Sequence, residues 1–320
     1  MRPLVLCAVL GGCGFQATRA LDPDAAPQEL DGGATVDGAI DGAIDGADCF
    51  ARWRDGSVAL STPQRLTSVN GGGDDRDPWI SRDRLTLYFA SNRNVVNEIF
   101  RAGRTSAELP FGPPDRLINL TVAGKQQDRA SLTDDQRTLV LSSNRGGKFQ
   151  IFVTGRPDTT TEFGSPNQDH LAQVNAGNVD NFDPFIATDA RRLYLTTDPG
   201  GPAHPKLVVA TRLDPGGDFS APSDVPGVNV NGVDTADPAL SPDERVIVFS
   251  SNRDGGRGKL DLWYAVRPDI QREFSPPVPI PTVNTDEDDA DPMLSADGCE
   301  LYFAARRDGD FDLYVSQVAR

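Results

Sequence analysis

Short apolar runs alternate with polar turns from about residue 58 to the end of the chain, and the runs have the length and pattern of β-strands. The strongest runs return at a nearly constant distance. Their central residues, which are 52, 54, 54 and 54 residues apart, are Phe89, Leu141, Leu195, Phe249 and Phe303. This period predicts a repeat architecture of five units.

Each unit contains four predicted strands. Strand a follows an Asp-Pro step, strand b reads Leu-Tyr-Phe-Ala-Ser or a close variant, and strand c comes after a polar Asn-Arg-Asp-Gly loop. Strand d follows a Phe-x-x-Pro segment that begins at Phe111, Phe163, Phe219 and Phe274. Four-stranded units repeated radially form propeller blades. The sequence therefore predicts an all-β fold, a five-bladed β-propeller of four-stranded blades.

The two ends of the repeat region predict how the ring closes. The fifth unit stops after strand c, and residues 60–66 supply a further copy of strand d. We expect this N-terminal strand to complete the last blade, because closure removes open sheet edges. The alternative, a six-bladed propeller, needs a further repeat of about 50 residues. Closure brings Cys49 and Cys299 to one sheet, where we expect a disulfide; the alternative is two unrelated thiols.

Charge and histidine content exclude several functions. Acidic residues outnumber basic ones by 47 to 31, a formal charge of −16, which argues against a nucleic-acid partner because phosphate binding needs clustered Lys and Arg. The two histidines, His170 and His204, offer little for a Ser-His-Asp triad or a multi-histidine metal site. No catalytic residue is assigned from the sequence.

Residues 1–12 are predicted to be a lipoprotein signal peptide. Arg2 precedes an apolar run of seven residues, which is too short to span a bilayer but suits a signal peptide. Leu10-Gly11-Gly12-Cys13 resembles a bacterial lipobox, which implies that Cys13 carries a lipid anchor. The alternative is an ordinary signal peptide cut after Ala20.

Residues 13–48 are rich in Asp, Gly and Ala and too poor in large apolar residues to fold, so we expect an acidic disordered tether. The propeller is then assigned to residues 49–320. Gly14 follows the lipobox cysteine, which in lipoproteins implies the outer membrane. We expect a membrane-anchored protein of the cell envelope, on either the periplasmic or the surface face.

The repeated unit Asp-Pro-x-Leu-Ser-x-Asp-Gly-x-x-Leu-Tyr-Phe-x-Ser-x-Arg-Asp-Gly resembles the PD40 (WD40-like) repeat of TolB-type β-propellers over residues 58–320. The resemblance implies a protein-binding platform in the bacterial envelope. TolB-type proteins have an α/β domain before a six-bladed propeller, whereas five blades and a lipid anchor are predicted here. Their role in colicin import is therefore not transferred.

Paired aspartates recur before strand a in four of the five units. The pairs are Asp74 and Asp77, Asp180 and Asp183, Asp234 and Asp237, and Asp288 and Asp291. In the second unit Lys125 and Arg129 break this pattern. If the loops between strands d and a surround one mouth of the channel, the pairs concentrate negative charge there. One interpretation is a site for a cation such as Ca²⁺; the other is that each carboxylate caps its own turn.

Two further sets of residues have structural interpretations. An arginine ends strand b at Arg93, Arg145, Arg253 and Arg307, and we expect ion pairs with acids that open strand c, such as Glu98, Asp261 and Asp312. The side chains of Trp79, Phe185 and Met293 follow Asp-Pro and are expected to pack between blades, although they are also placed to stack on a sugar.

Two functions from different classes follow. The first is a non-catalytic scaffold, without a cofactor unless the mouth binds Ca²⁺, that presents a face to an envelope protein or a glycan and contacts the membrane only through its anchor. The second is a five-bladed glycoside hydrolase that uses channel-mouth aspartates as acid and base. A deep mouth with unlike carboxylates favours the enzyme, and a mouth filled by turn hydrogen bonds favours the scaffold.

Overall fold

The computed structural model describes residues 49–307 and 309–319. It consists of five antiparallel sheets in a ring, four of them built from consecutive strands and the fifth from the last three strands together with the first. The elements are a short helix α1 (Phe50–Asp55); β1 (Gln64–Arg65); blade 1 with β2 (Asp75–Ile80), β3 (Thr86–Ser91), β4 (Glu98–Gly103) and β5 (Asp115–Arg116); a 3₁₀ turn (Ile118–Leu120); blade 2 with β6 (Gln127–Leu132), β7 (Thr138–Ser143) and β8 (Gln150–Gly155); blade 3 with β9 (Asp180–Ile186), β10 (Arg192–Asp198), β11 (Lys206–Thr211) and β12 (Ser223–Asp224); blade 4 with β13 (Thr235–Leu240), β14 (Val246–Ser251), β15 (Asp261–Val266) and β16 (Val278–Pro279); and blade 5 with β17 (Asp289–Leu294), β18 (Glu300–Ala305) and β19 (Asp312–Gln317).

The N-terminal strand closes the ring as the repeat count predicts. β1 pairs with β19, with Gln64 opposite Val315 and Arg65 opposite Tyr314. The Arg65 guanidinium donates to both carboxylate oxygens of Asp312, at 2.8 and 2.7 Å. The blade order β1-β19-β18-β17 confirms the prediction of five blades completed by the front of the chain.

A disulfide and helix α1 strengthen the same closure. Cys49 and Cys299 are bonded across 250 residues, with their Cα atoms 5.1 Å apart. Helix α1 inserts Trp53, which is fully buried, and its indole Nε1 donates to the Gly298 carbonyl at 2.9 Å. The Trp53 ring also packs edge-on against Tyr264 at 5.3 Å. The segment before the propeller is therefore fixed to blades 4 and 5.

Blade 2 departs from the common pattern at its fourth strand. Its sheet has three strands, and the segment corresponding to strand d pairs with β8 through a single bridge between Val153 and Asn167. The cause is an insertion, because eight positions separate Phe163 from Leu171 whereas six separate Phe219 from Val225. The two extra residues shift the chain out of register with β8.

Local hydrogen bonds explain why each unit forms the same a–b hairpin. In blade 1 the Ser81 hydroxyl donates to Asp83 at 2.5 Å, and the Asp83 carboxylate accepts the Leu85 backbone N–H at 3.0 Å. Arg84 completes the turn with φ of 60°. The same Ser/Thr-to-Asp bond recurs in blades 2, 4 and 5, at 2.5 to 2.6 Å. These turns are encoded within a few residues, which is why they repeat with the sequence.

The expected partners of the arginines that end strand b are wrong. Arg93 bonds Asp75 in strand a, at 2.6 Å, while Glu98 bonds Arg116 of strand d. Arg307 likewise bonds Asp289. The physical reason is burial: the fully buried carboxylate at the start of strand a requires a cation, and the acid of strand c is already paired with strand d.

The lipoprotein signal, Cys13 and the tether lie outside the described residues. Among residues 49–307 and 309–319, no helix has the length and apolar character needed to cross a bilayer.

Candidate functional site

The first aspartate of each pair links two blades. Asp74 accepts the Phe311 backbone N–H at 2.9 Å, Asp180 that of Phe149 at 2.8 Å and Asp288 that of Leu260 at 3.2 Å. Asp234 lies 2.7 Å from Nδ1 of His204. All four partners lie in the loop between strands b and c of the preceding blade. Three of these carboxylates therefore cap the loop backbone of the preceding blade, and Asp234 instead pairs with the His204 side chain of that loop.

The second aspartate of each pair lies deeper than the sequence predicted. The prediction placed these residues in the loops between strands d and a. In the structure they lie within strand a, at a β-bulge where its register with strand b shifts. Their φ values fall between 51° and 58°, which is the left-handed region. The bulge aims these side chains at the channel axis. We call the set Asp77, Asp183, Asp237 and Asp291, with Arg129, the carboxylate ring.

Arg129 is the fifth member of this ring, a role that sequence reasoning missed. It occupies the aspartate position of blade 2, with φ of 43°. Its Nη2 reaches across the channel and donates to the carbonyls of Pro238 and Pro292, at 3.0 and 3.2 Å. Its Nη1 lies 3.9 Å from Asp77 Oδ1. The alignment of repeats shows the substitution, but not that the guanidinium fills the channel.

Hydrogen bonds run around the ring from blade to blade. The Asp291 backbone N–H donates to Asp237 Oδ2 at 3.4 Å, and that of Asp77 donates to Asp291 Oδ2 at 3.4 Å. The Arg129 N–H completes the series on Asp77 Oδ2 at 3.3 Å. Three of the four carboxylates thus satisfy the backbone of the next blade. They act as caps between sheets rather than within one turn.

Asp183 is the exception within the ring. The backbone N–H of Asp237, which would be its partner in the series, donates instead to Thr196 Oγ1 at 3.1 Å. Asp183 is half-buried, whereas Asp77, Asp237 and Asp291 are 5%, 5% and 1% exposed. Asp183 is therefore the most exposed of the ring carboxylates.

Burial and mutual repulsion give the ring carboxylates unlike proton affinities. Burial, and then the charge of a neighbouring ring aspartate, raises the pKa of Asp77 and of Asp183 well above the usual range. The pKa of Asp291 ends below its ordinary value, because Arg76 and Arg129 outweigh the effect of its burial. Arg76 Nε lies 2.9 Å from Asp291 Oδ2. The ring carboxylates therefore differ in proton affinity, with Asp291 the most acidic of the three.

The opposite end of the channel is apolar and nearly closed. Trp79, Phe185 and Met293 are 5%, 6% and 8% exposed, as expected for side chains that pack between blades. They line a small cavity of about 40 Å³. Within residues 49–307 and 309–319, no group of three or more His, Cys, Asp and Glu side chains is arranged to hold a metal ion. Calcium binding at the mouth stays a prediction.

Several solved structures are similar to this chain in fold. An endo-arabinase from Bacteroides thetaiotaomicron is similar with a TM-score of 0.53 and 15% identity, over 82% of this chain and 98% of that chain. An α-L-arabinofuranosidase from Podospora anserina, solved with cellotriose, is similar with a TM-score of 0.51 and 12% identity, over 82% and 98%.

TolB from Acinetobacter baumannii is similar with a TM-score of 0.40 and 16% identity, over 77% of this chain, and the match spans 44% of that TolB chain. Comparisons with protein-family models and with curated proteins find no match. At these identities the likeness concerns the fold. The chain is a five-bladed β-propeller whose channel is lined by a carboxylate ring and crossed by an arginine.

Proposed function

We propose that this chain is a lipid-anchored, non-catalytic binding protein of the bacterial cell envelope. The observation that supports the proposal most directly is that the carboxylate ring holds neighbouring blades together. Three of its aspartates accept backbone N–H groups of the next blade, and Arg129 fills the space between them. Groups committed to holding blades together are not available to act on a substrate.

The geometry of glycoside hydrolysis supports the same conclusion. A glycosidase places the bond to be cut between two carboxyl groups about 5 to 9.5 Å apart. Here the Arg129 guanidinium lies between blades 2, 4 and 5 and is only 3% exposed at its side chain. A sugar would have to displace this buried cation from Asp77 and from the carbonyls of Pro238 and Pro292.

The envelope assignment is supported by the disulfide and by the leader sequence. A bond between Cys49 and Cys299 fits an exported chain. Replacement of Cys13 by Ser is expected to release the protein from the membrane fraction and to abolish incorporation of labelled palmitate. If the Cys13→Ser protein fractionates with the outer membrane as the wild type does, the lipid anchor is refuted.

The face around the ring offers a docking surface for a protein. Val95, in the loop between strands b and c of blade 1, is 91% exposed and has φ of 93°. A β-branched residue rarely adopts this conformation, and such strain is concentrated at functional positions. Ile118, in the connection that leads to the next strand a, is 67% exposed on the same face. Exposed aliphatic side chains favour a protein over a glycan.

Photocrosslinking in cells tests this surface. A photoreactive amino acid at position 95 is expected to capture an envelope protein. The same group at position 213 is the matched control, because Leu213 is 90% exposed but lies between strands c and d, at the opposite end of the blade. Equal capture from both positions would show that the face around the ring is not the docking surface.

A second candidate function is glycoside hydrolysis, and one observation favours it. Asp183 has a raised pKa and Asp291 a lowered one, and an acid and a base with separated pKa values are what such enzymes use. The endo-arabinase with the same fold makes linear arabinan a suitable substrate to test. Our proposal expects no release of reducing sugar. Hydrolysis that disappears in Asp183→Asn would establish the enzyme instead.

A further inference from the structure

An arginine and a tyrosine join neighbouring blades at three of the five interfaces. The arginine follows strand c and its Nη2 donates to the phenol oxygen of a tyrosine in strand b of the preceding blade. The pairs, with distances of 3.3, 3.3 and 3.1 Å, are Arg104 with Tyr302, Arg156 with Tyr88, and Arg267 with Tyr194. Each of these arginines also stacks on the phenylalanine of its Phe-x-x-Pro segment, at 4.3 to 4.4 Å. The motif thus fixes a guanidinium and supplies it with a phenol.

The interface between blades 2 and 3 has the arginine without the tyrosine. Arg212 lies 4.2 Å above the Phe219 ring, and its Nε and Nη1 donate to the carbonyls of Ala190 and Gly217 at 2.7 and 3.2 Å. This is the pose of Arg156, whose Nε donates to the Gln136 carbonyl at 2.8 Å. The tyrosine position, however, is Val140. Within the described part of the chain, Arg212 Nη2 has no hydrogen-bond partner.

The chain leaves a cavity at this place. Its volume is about 590 Å³, within the range of small-molecule sites. Apolar side chains of both blades line it, including Val140, Leu171, Ile186 and Phe219, and Arg212 is on its wall. The insertion in blade 2 contributes, because it reduces strand d to one bridge and places His170 at the cavity with φ of 65°.

The fifth interface lacks both residues of the motif and has an aromatic ring from helix α1 instead. Between blades 4 and 5 the tyrosine position is Val248 and the arginine position is Val318. Helix α1 contacts β14 of blade 4 and inserts Trp53, which bonds the Gly298 carbonyl of blade 5. Here an aromatic ring from elsewhere in the chain packs where the pair is missing. Among the described residues that line the cavity between blades 2 and 3, the rings are those of Phe219, on which Arg212 stacks, and His170, and none is a phenol.

We propose that this cavity binds a small molecule that carries a hydroxylated aromatic ring. The ring packs on Val140, Ile186 and Leu171, and the hydroxyl oxygen accepts a hydrogen bond from Arg212 Nη2, as three tyrosines of this chain do at the equivalent interfaces. The wall also carries Asp134, Asp135, Asp169 and Asp189. Their charge disfavours anionic ligands, so the cavity selects neutral phenols over benzoates. This inference concerns a different site from the docking surface and does not depend on it.

Calorimetric titration of the purified mature protein with 4-methylphenol tests the proposal. The wild type is expected to bind one equivalent, with toluene and 4-methylbenzoate each at least tenfold weaker. Val140→Tyr supplies the missing phenol from within, so binding of 4-methylphenol should be lost and the melting temperature should rise. Between blades 1 and 2, Tyr88 and Arg156 line a cavity of about 600 Å³, and Arg156 has the same pose as Arg212. Tyr88→Val removes the phenol from that cavity and is expected to bind a second equivalent.

Two results would overturn the proposal. The first is a folded Val140→Tyr protein that binds 4-methylphenol as the wild type does, which would place the ligand elsewhere. The second is equal affinity of the wild type for toluene and 4-methylphenol, which would remove the role of the guanidinium. If Val140→Tyr does not fold, Arg212→Met decides the matter, because it should abolish the preference for 4-methylphenol over toluene while leaving the circular dichroism unchanged.

Discussion

Restoring the repeat at position 129 should destabilise this protein. Four of the five units have Asp at this position and the second has Arg129. Arg129→Asp therefore makes the units more alike, and a consensus argument expects a gain in stability. The structure predicts the opposite, because the guanidinium is buried within the carboxylate ring.

The magnitude follows from the contacts that would be lost. Arg129 gives two hydrogen bonds, to the carbonyls of Pro238 and Pro292 at 3.0 and 3.2 Å, and lies 3.9 Å from Asp77. Removing one partner of a buried ionic arrangement costs about 3–5 kcal/mol. The new carboxylate also repels its neighbours. We expect the free energy of unfolding at pH 7 to fall by at least about 3 kcal/mol.

The pH dependence gives a second, independent check. A buried carboxyl surrounded by others has a raised pKa in the folded state, as burial produces for Asp77 and Asp183. Its stabilising contribution is complete below the unfolded pKa of about 3.9 and is lost as the pH rises through the folded pKa. The deficit of Arg129→Asp should therefore be smaller at pH 5 than at pH 7.

Urea unfolding, followed by tryptophan fluorescence at both pH values, measures the effect. The matched control is Arg82→Asp, the same change at a side chain that is 60% exposed and paired with Asp134, where the cost should be below about 1 kcal/mol. An Arg129→Asp protein that is as stable as the wild type at pH 7 would refute the role we assign to the ring. So would a deficit that does not change with pH while the control behaves as expected.

Three other predictions concern backbone, covalent and steric constraints. Val95→Gly should raise the free energy of unfolding, measured by urea titration, by up to about 1 kcal/mol. The reason is that Val95 has a φ of 93°, which is strained for valine and unstrained for glycine. A loss of stability would show that Val95 is not strained. Cys49→Ser, Cys299→Ser and the double variant should each lower the free energy of unfolding by the same amount, about 5 kcal/mol for a loop of 250 residues. If the effects of the two single substitutions add in the double variant, the disulfide is disproved. Gly258→Ala should lower stability by about 1–3 kcal/mol, because its Cβ would lie 2.0 Å from a backbone carbonyl oxygen, whereas Gly72→Ala has open space and should be neutral by thermal melting.

The candidate site was predicted only in part. The four aspartate pairs were found from their spacing, but the sequence treated both members as equivalent loop residues. The structure separates them, since Asp74 caps a neighbouring loop while Asp77 lies in a bulge of strand a. The bulge depends on pairing with strand b and on the convergence of five strands at the axis, neither of which local sequence encodes.

The sequence by itself determined the architecture of this protein. A repeat of about 54 residues, turn signals within each unit and a displaced fourth strand were enough to predict five blades, their closure and the bond between Cys49 and Cys299. These features follow from short-range hydrogen bonding and from the need to pair sheet edges, which neighbouring residues specify.

Only the tertiary structure decided which side chains meet between blades. Arg93 bonds Asp75 rather than Glu98, Arg129 crosses the channel to Pro238, and Arg212 lies at a cavity whose wall carries Val140 in place of a tyrosine. These contacts join residues tens to hundreds of positions apart, and their energies depend on burial and on competing partners. A substitution in one repeat is visible in the sequence, but its consequence is fixed by the blade that packs against it.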